Sequence, residues 1–148
     1  MNSEMLRLGK ETLISRLAEF FKSREYVELA YLFGSQSKGK QGSLSDIDIG
    51  VYLSSKLTKR ERIEKRLELT AELTGFLKTE RIDLIVMNDS SPVINFEIIK
   101  SNIPIFVKNE DLKLDVEQKV MSSYLDRKYH EDLLNKAFLE RIEEKGGF

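Results

Sequence analysis

The chain contains no cysteine and no tryptophan, and only two prolines and one histidine. Without cysteine there is neither a disulfide framework nor a thiolate metal site, and the absence fits a reducing compartment. No apolar run reaches the length of a membrane span, and the opening MNSEMLRLGKETL lacks the apolar centre of a signal peptide. A cytoplasmic protein without membrane contact is expected. An excess of charge is missing as well: 24 Lys and Arg stand against 25 Asp and Glu, a formal net charge of -1. That balance lacks the basic face that broad binding of nucleic acid requires, so no direct nucleic-acid contact is expected. It leaves room for a small phosphorylated ligand held by a few local groups.

What is present is a chain of 148 residues, one domain by length and large enough to bury a core without staples. Leu13, Ile14, Leu17, Phe20 and Phe21 recur at helical spacing, so residues 10–23 read as an amphipathic helix. Residues 27–33 are apolar, β-prone and stopped by Gly34, as a buried strand would be. Residues 45–53 alternate as far as Ile49 and suit a second strand. Residues 57–77 place Ile63, Leu67, Leu69, Leu73 and Leu77 on one broad helical face. A third strand is expected over 81–87, and Ser91-Pro92 reads as a capped helix start. Residues 103–107 form a short fourth strand, which Pro104 assigns to an edge.

From about 111 to 145 the pattern is helical and charged, with a late apolar stripe of Leu133, Leu134, Ala137, Phe138 and Ile142. No repeat, linker or low-complexity segment interrupts the chain. The order α-β-β-α-β-α-β-α predicts one α/β (α+β) domain over 1–148. Its core, about 10–108, is a small mixed β-sheet with helices packed on it.

The string LFGSQSKGKQGSLSDIDIGVYL, residues 32–53, carries the chemistry. Strand side chains alternate between faces, so Asp46 and Asp48 share one face while Ile47 and Ile49 point into the core. Two carboxylates so close are costly when both are ionised, unless a divalent cation neutralises them. Their oxygens are hard ligands suited to Mg²⁺ or Mn²⁺. A D-x-D alone is also met on solvated strand edges, and Gly34-Ser35 alone reads as a plain turn. Together on neighbouring strands they describe a phosphate cradle beside a metal site, because glycine admits a close backbone approach and the following amides favour anions. Lys38, Gly39, Lys40 and Gly42 add charge and flexibility to that loop, or serve only as a polar connection. Asp83 lies early in an otherwise apolar strand, where an unpaired charge is expensive. Alone it could be a strand-edge residue or a partner of Arg81; beside two other strand carboxylates it is assigned to the same site.

Gly34-Ser35, ten residues, Asp46-x-Asp48 and a later strand aspartate, Asp83, resemble the signature of the DNA polymerase beta-like nucleotidyltransferase superfamily. Size, FGSQSKGKQGSLSDIDIGV, RIDLIVMND and FEIIKSNIPIFVKNE are similar to the minimal nucleotidyltransferases (MNT proteins), over most of residues 27–110. The resemblance implies a polymerase beta-like fold and Mg²⁺- or Mn²⁺-dependent nucleotidyl transfer from ATP. Asp46, Asp48 and Asp83 would be metal ligands and catalytic residues. Gly34 and Ser35 would hold the phosphates, with Lys38 and Ser45 as further nucleotide contacts. It also implies the role of antitoxin, moving AMP onto a tyrosine of a partner HEPN-domain ribonuclease toxin. A small-molecule nucleotidyltransferase and a binding-only antitoxin stand as alternatives.

Other residues are read as structural. His130 reads as a surface helical residue, and Tyr124 and Tyr129 as exposed helical tyrosines. The basic run Lys56–Arg66 is interrupted by Glu61 and Glu64 and reads as a solvated face, with Glu61 pairing with Lys65 at i, i+4. The late stripe on the last helix could dock a partner or cover the domain's own core.

Overall fold

A computed structural model of the chain describes residues 9–34 and 46–144. The described elements are α1 (Lys10–Lys22), β1 (Val27–Phe33), β2 (Ile47–Leu53), α2 (Lys59–Leu77), β3 (Ile82–Val86), a 3-10 turn (Met87–Asp89), α3 (Pro92–Lys100), β4 (Pro104–Val107) and α4 (Glu110–Glu144). The strands form one sheet in the order β3-β2-β1-β4. β1 pairs antiparallel with both β2 and β4, whereas β2 pairs parallel with β3. The sheet is therefore mixed, and β4 with its Pro104 lies at an edge, where a missing N–H costs no ladder bond.

Strand alternation divides the core in two. Ile47, Ile49, Val51 and Leu53 of β2 face α1 and α2, joining Leu13, Leu17, Phe20, Leu69 and Leu73. Leu29 and Tyr31 of β1 face the other way, against Ile98 of α3 and Val116 and Val120 of α4. Asp48 belongs to this second face by its place in the alternation.

Local chemistry explains where the helices begin. Thr58 and Glu61 form a capping box on α2, and Ser91 caps α3 ahead of Pro92. Glu61 is thereby committed to the backbone N–H of Thr58, 2.8 Å away. The expected Glu61–Lys65 pair is replaced by Lys65–Glu68 at 3.1 Å. The broad apolar face expected on α2 is also only half used. Leu69, Leu73 and Leu77 are buried, but Ile63 and Leu67 remain 52% and 64% exposed. β3 is the last strand on that side, so no further sheet underlies the first turns of α2. They are held by polar contacts instead: Arg62 with Asp89 at 2.8 Å, and Arg66 Nε donating to the carbonyl of Leu84 at 3.0 Å.

α4 is docked by its first half, as far as Tyr124. The phenol of Tyr31 donates to Glu117 Oε2 at 2.6 Å, Lys113 pairs with the same carboxylate at 3.1 Å, and Tyr124 stacks on Phe96 with centroids 3.9 Å apart. Beyond Val120 no described residue of α4 is buried. Leu134 and Phe138 are 70% and 61% exposed, so the late stripe does not cover the domain's own core. His130 and Tyr129 lie on this exposed stretch, edge to face with one another.

Candidate active site

The site is assembled by strand register. Asp48 sits second in β2, with Asp83 of β3 as its parallel partner and Phe33 of β1 opposite on the other side. Asp46 lies just before β2 and is exposed, as is Asp83. The backbone N–H of Ile47 donates to the carbonyl of Arg81 at 2.8 Å, which ties the starts of β2 and β3 together and sets the carboxylates side by side.

Gly34 closes β1 with φ +76°, a left-handed conformation that costs a residue with a side chain. A Cβ there would run into the carboxyl group of Asp48. Glycine is therefore required twice, by the backbone and by the close approach of the aspartate. On the far side, the hydroxyl of Ser101 at the end of α3 donates to the carbonyl of Leu32 at 2.9 Å, which pins that helix end to the last turn of β1.

The electrostatics follow from this crowding. The Asp48 carboxyl is pushed up to about 6, first by burial and then by the negative charges of Asp83 and Asp46. Among the described residues, no three His, Asp or Glu side chains converge closely enough to hold a metal ion by themselves. The donor set nevertheless fits a hard divalent cation. Neighbouring carboxylates that repel one another are relieved by a cation, and Mg²⁺ takes one or two carboxylates and completes its shell with water and phosphate oxygens. A full cage of protein ligands is not needed for that.

Of the residues expected from sequence, the structure brings Gly34, Asp46, Asp48 and Asp83 to one end of the sheet. Ser35, Lys38 and Ser45 lie outside the described residues. Two features had no sequence signal. Asn88 makes a paired clamp on Leu53, accepting from its N–H at 2.9 Å and donating to its carbonyl at 3.0 Å. Arg62 forks onto both oxygens of Asp89 at 2.8 Å. Both require knowing which turn follows β3.

The small mixed sheet, with Asp48 and Asp83 in register on neighbouring strands beside a left-handed glycine, is the arrangement expected of a nucleotidyltransferase. The family model described as polymerase beta, nucleotidyltransferase matches residues 15–111, and the chain belongs to that family. No curated protein sequence matches it. Solved structures with the same fold include a chain of a toxin–antitoxin complex with AMP-PNP, at 23% identity and TM-score 0.65 over 85% of this chain and 98% of that one. A chain of the MntA–HepT toxin–antitoxin is similar at 22% identity and TM-score 0.59, over 90% and 98%. So is one from the complex of tri-AMPylated Shewanella oneidensis HEPN toxin with MNT antitoxin, at 23% identity and TM-score 0.58, over 91% and 99%. No described helix is long and apolar enough to cross a membrane.

Proposed function

We propose that the chain is an antitoxin of the minimal nucleotidyltransferase type, which transfers AMP from ATP to a tyrosine of a partner HEPN-domain ribonuclease and so silences it. The observation that carries the chemistry is the in-register pair Asp48 and Asp83 beside Gly34. Membership of a nucleotidyltransferase family and the shared fold with chains of AMP-PNP-bound and AMPylated toxin–antitoxin complexes support the choice of nucleotide and partner. The undocked apolar surface of α4 supports a protein acceptor, since a helix with this much exposed Leu and Phe suits another protein surface.

In this reading Asp46 and Asp48 would hold a divalent cation, with Asp83 completing the set nearest the acceptor, and such a cation would supply charge neutralisation for the phosphates and for the attacking and leaving oxygens. The backbone around Gly34 and Ser35 holds the β- and γ-phosphates, with Lys38 and Ser45 as further contacts. Asp83 takes the proton of the tyrosine hydroxyl as that oxygen bonds to the α-phosphorus. The bond from the α-phosphorus to the bridging oxygen breaks in line, and pyrophosphate leaves.

The test is incubation with ATP, Mg²⁺ and a HEPN-type partner, followed by mass spectrometry of the partner. Adducts in multiples of one AMP on tyrosine, absent with Asp46→Asn, are expected. A partner that is silenced yet unmodified would sink the enzyme reading and leave a binding-only antitoxin.

A further inference from the structure

The end of β1, which carries Gly34, is not held by a regular strand ladder on its β4 side. β4 pairs with β1 only through Leu29, Ala30 and Tyr31, with a register shift before Tyr31. Leu32, two residues before Gly34, lies beyond that pairing. The corner between α3 and β4 serves it instead. The N–H of Leu32 donates to the carbonyl of Ile103 at 3.0 Å, and the hydroxyl of Ser101 donates to the carbonyl of Leu32 at 2.9 Å. A side-chain hydroxyl thus stands where a ladder amide would otherwise be. The same hydroxyl lies 2.7 Å from the carbonyl of Ile98, so its one proton is shared between the helix end and the strand.

The seating of α3 gives this bond its leverage. Ile98, fully buried, rests on Gly50 of β2, where a Cβ would come within 2.8 Å of its side chain. Ser101 follows Ile98 by three residues, close to one helical turn. The last turn of α3 therefore bears on β2 two residues after Asp48 and on β1 two residues before Gly34. Those are the strand ends that must meet for Gly34 to lie against the Asp48 carboxyl. Phe33, between Leu32 and Gly34, is paired with Asp48 itself. A carbonyl of Leu32 left without its donor would loosen the strand at this point, where no neighbouring strand compensates.

We propose that Ser101 is a positioning residue for the phosphate-holding turn. By fixing the Leu32 carbonyl it sets how Gly34 meets Asp48, and so how tightly Mg-ATP is held; the proposal rests on the nucleotide reading above. The full-length native chain, Ser101→Ala, and Ser101→Thr, which keeps the hydroxyl, decide it. By calorimetry, Ser101→Ala should bind Mg-ATP roughly 10–100-fold more weakly, the scale seen when a group that orients a metal site is lost. Ser101→Thr should bind as the native chain does. Without nucleotide, amide exchange should quicken at Leu32 in Ser101→Ala while Leu17 and Leu73 in the core stay unchanged. A general loss of stability would quicken all three. Native-like affinity or unaltered Leu32 exchange in Ser101→Ala, or equal weakening in both variants, overturns the proposal and leaves the nucleotide reading standing. A native chain that binds no Mg-ATP overturns that reading, and the proposal with it, whatever the exchange at Leu32.

Discussion

Asp48 and Asp83 face one another across the parallel pairing of β2 and β3, and Asp46 sits two residues before Asp48 at the mouth of that pairing. The consequence for the metal-free protein is a stability that depends on pH. The Asp48 carboxyl is raised from 3.8 to about 6, mainly by burial and then by Asp83 and Asp46. Well below pH 3.8 the group is neutral in both folded and unfolded chains and carries no penalty. As pH rises from there through about 6 the unfolded chain releases its proton more readily than the folded one, and stability is lost until both are ionised. Asp48→Asn should therefore come close to the native chain near pH 3 in EDTA and exceed it at pH 8. The gain should be on the order of 1 kcal/mol once solvent screening of this half-exposed group is allowed for. Urea melts at the two pH values check this; equal stability at pH 8 would show that the carboxylates do not burden one another.

Gly34→Ala should damage the site twice over. Its φ of +76° disfavours any side chain by about 1–2 kcal/mol, and the new methyl would displace the Asp48 carboxylate. A loss of roughly 1–3 kcal/mol of stability is expected, together with loss of the thermal shift given by Mg-ATP. A variant that melts lower but keeps the full Mg-ATP shift would separate the backbone strain from the site.

Much of this arrangement was legible in the sequence. Period-two alternation placed Ile47 and Ile49 in the core, which fixed the face shared by Asp46 and Asp48. Pro104 alone marked β4 as an edge. The pairing of Asp83 with Asp48 was not legible, because register between strands separated by a helix depends on how α2 packs. The demand for glycine at 34 was read as turn geometry, whereas half of it comes from the carboxyl group lying against it. Ile63 and Leu67 misled for a related reason: helical spacing reports a face, not how far the sheet beneath it extends.

Asp83→Asn distinguishes the two ends of the proposed reaction. It keeps the shape and leaves Asp46 and Asp48 in place, so Mg-ATP should still raise the melting temperature. Ligand at 100-fold excess over its dissociation constant adds about 2.7 kcal/mol of stability, which is easily read in a melt. AMP transfer to the partner should fall by at least about a hundredfold, the usual scale of a lost general base. Full transfer by Asp83→Asn would make this carboxylate structural.

The far part of α4 carries the last prediction. Leu134 and Phe138 lie four residues apart, on one side of a helix that beyond Val120 buries none of its described residues. Because neither supports the domain's own core, replacing both by aspartate should move the stability of the isolated chain by less than about 0.5 kcal/mol per site. If this stretch docks the HEPN-type partner, the same change introduces two charges into an apolar interface. Binding measured by calorimetry should then weaken at least a hundredfold, equivalent to about 2.8 kcal/mol. Transfer of AMP to the partner should fall at low partner concentration and recover as its concentration is raised, because the carboxylates and Gly34 are untouched. Unchanged affinity would place the docking surface elsewhere. Weaker transfer that no excess of partner restores would mean that α4 helps to orient the acceptor tyrosine as well as to hold the partner.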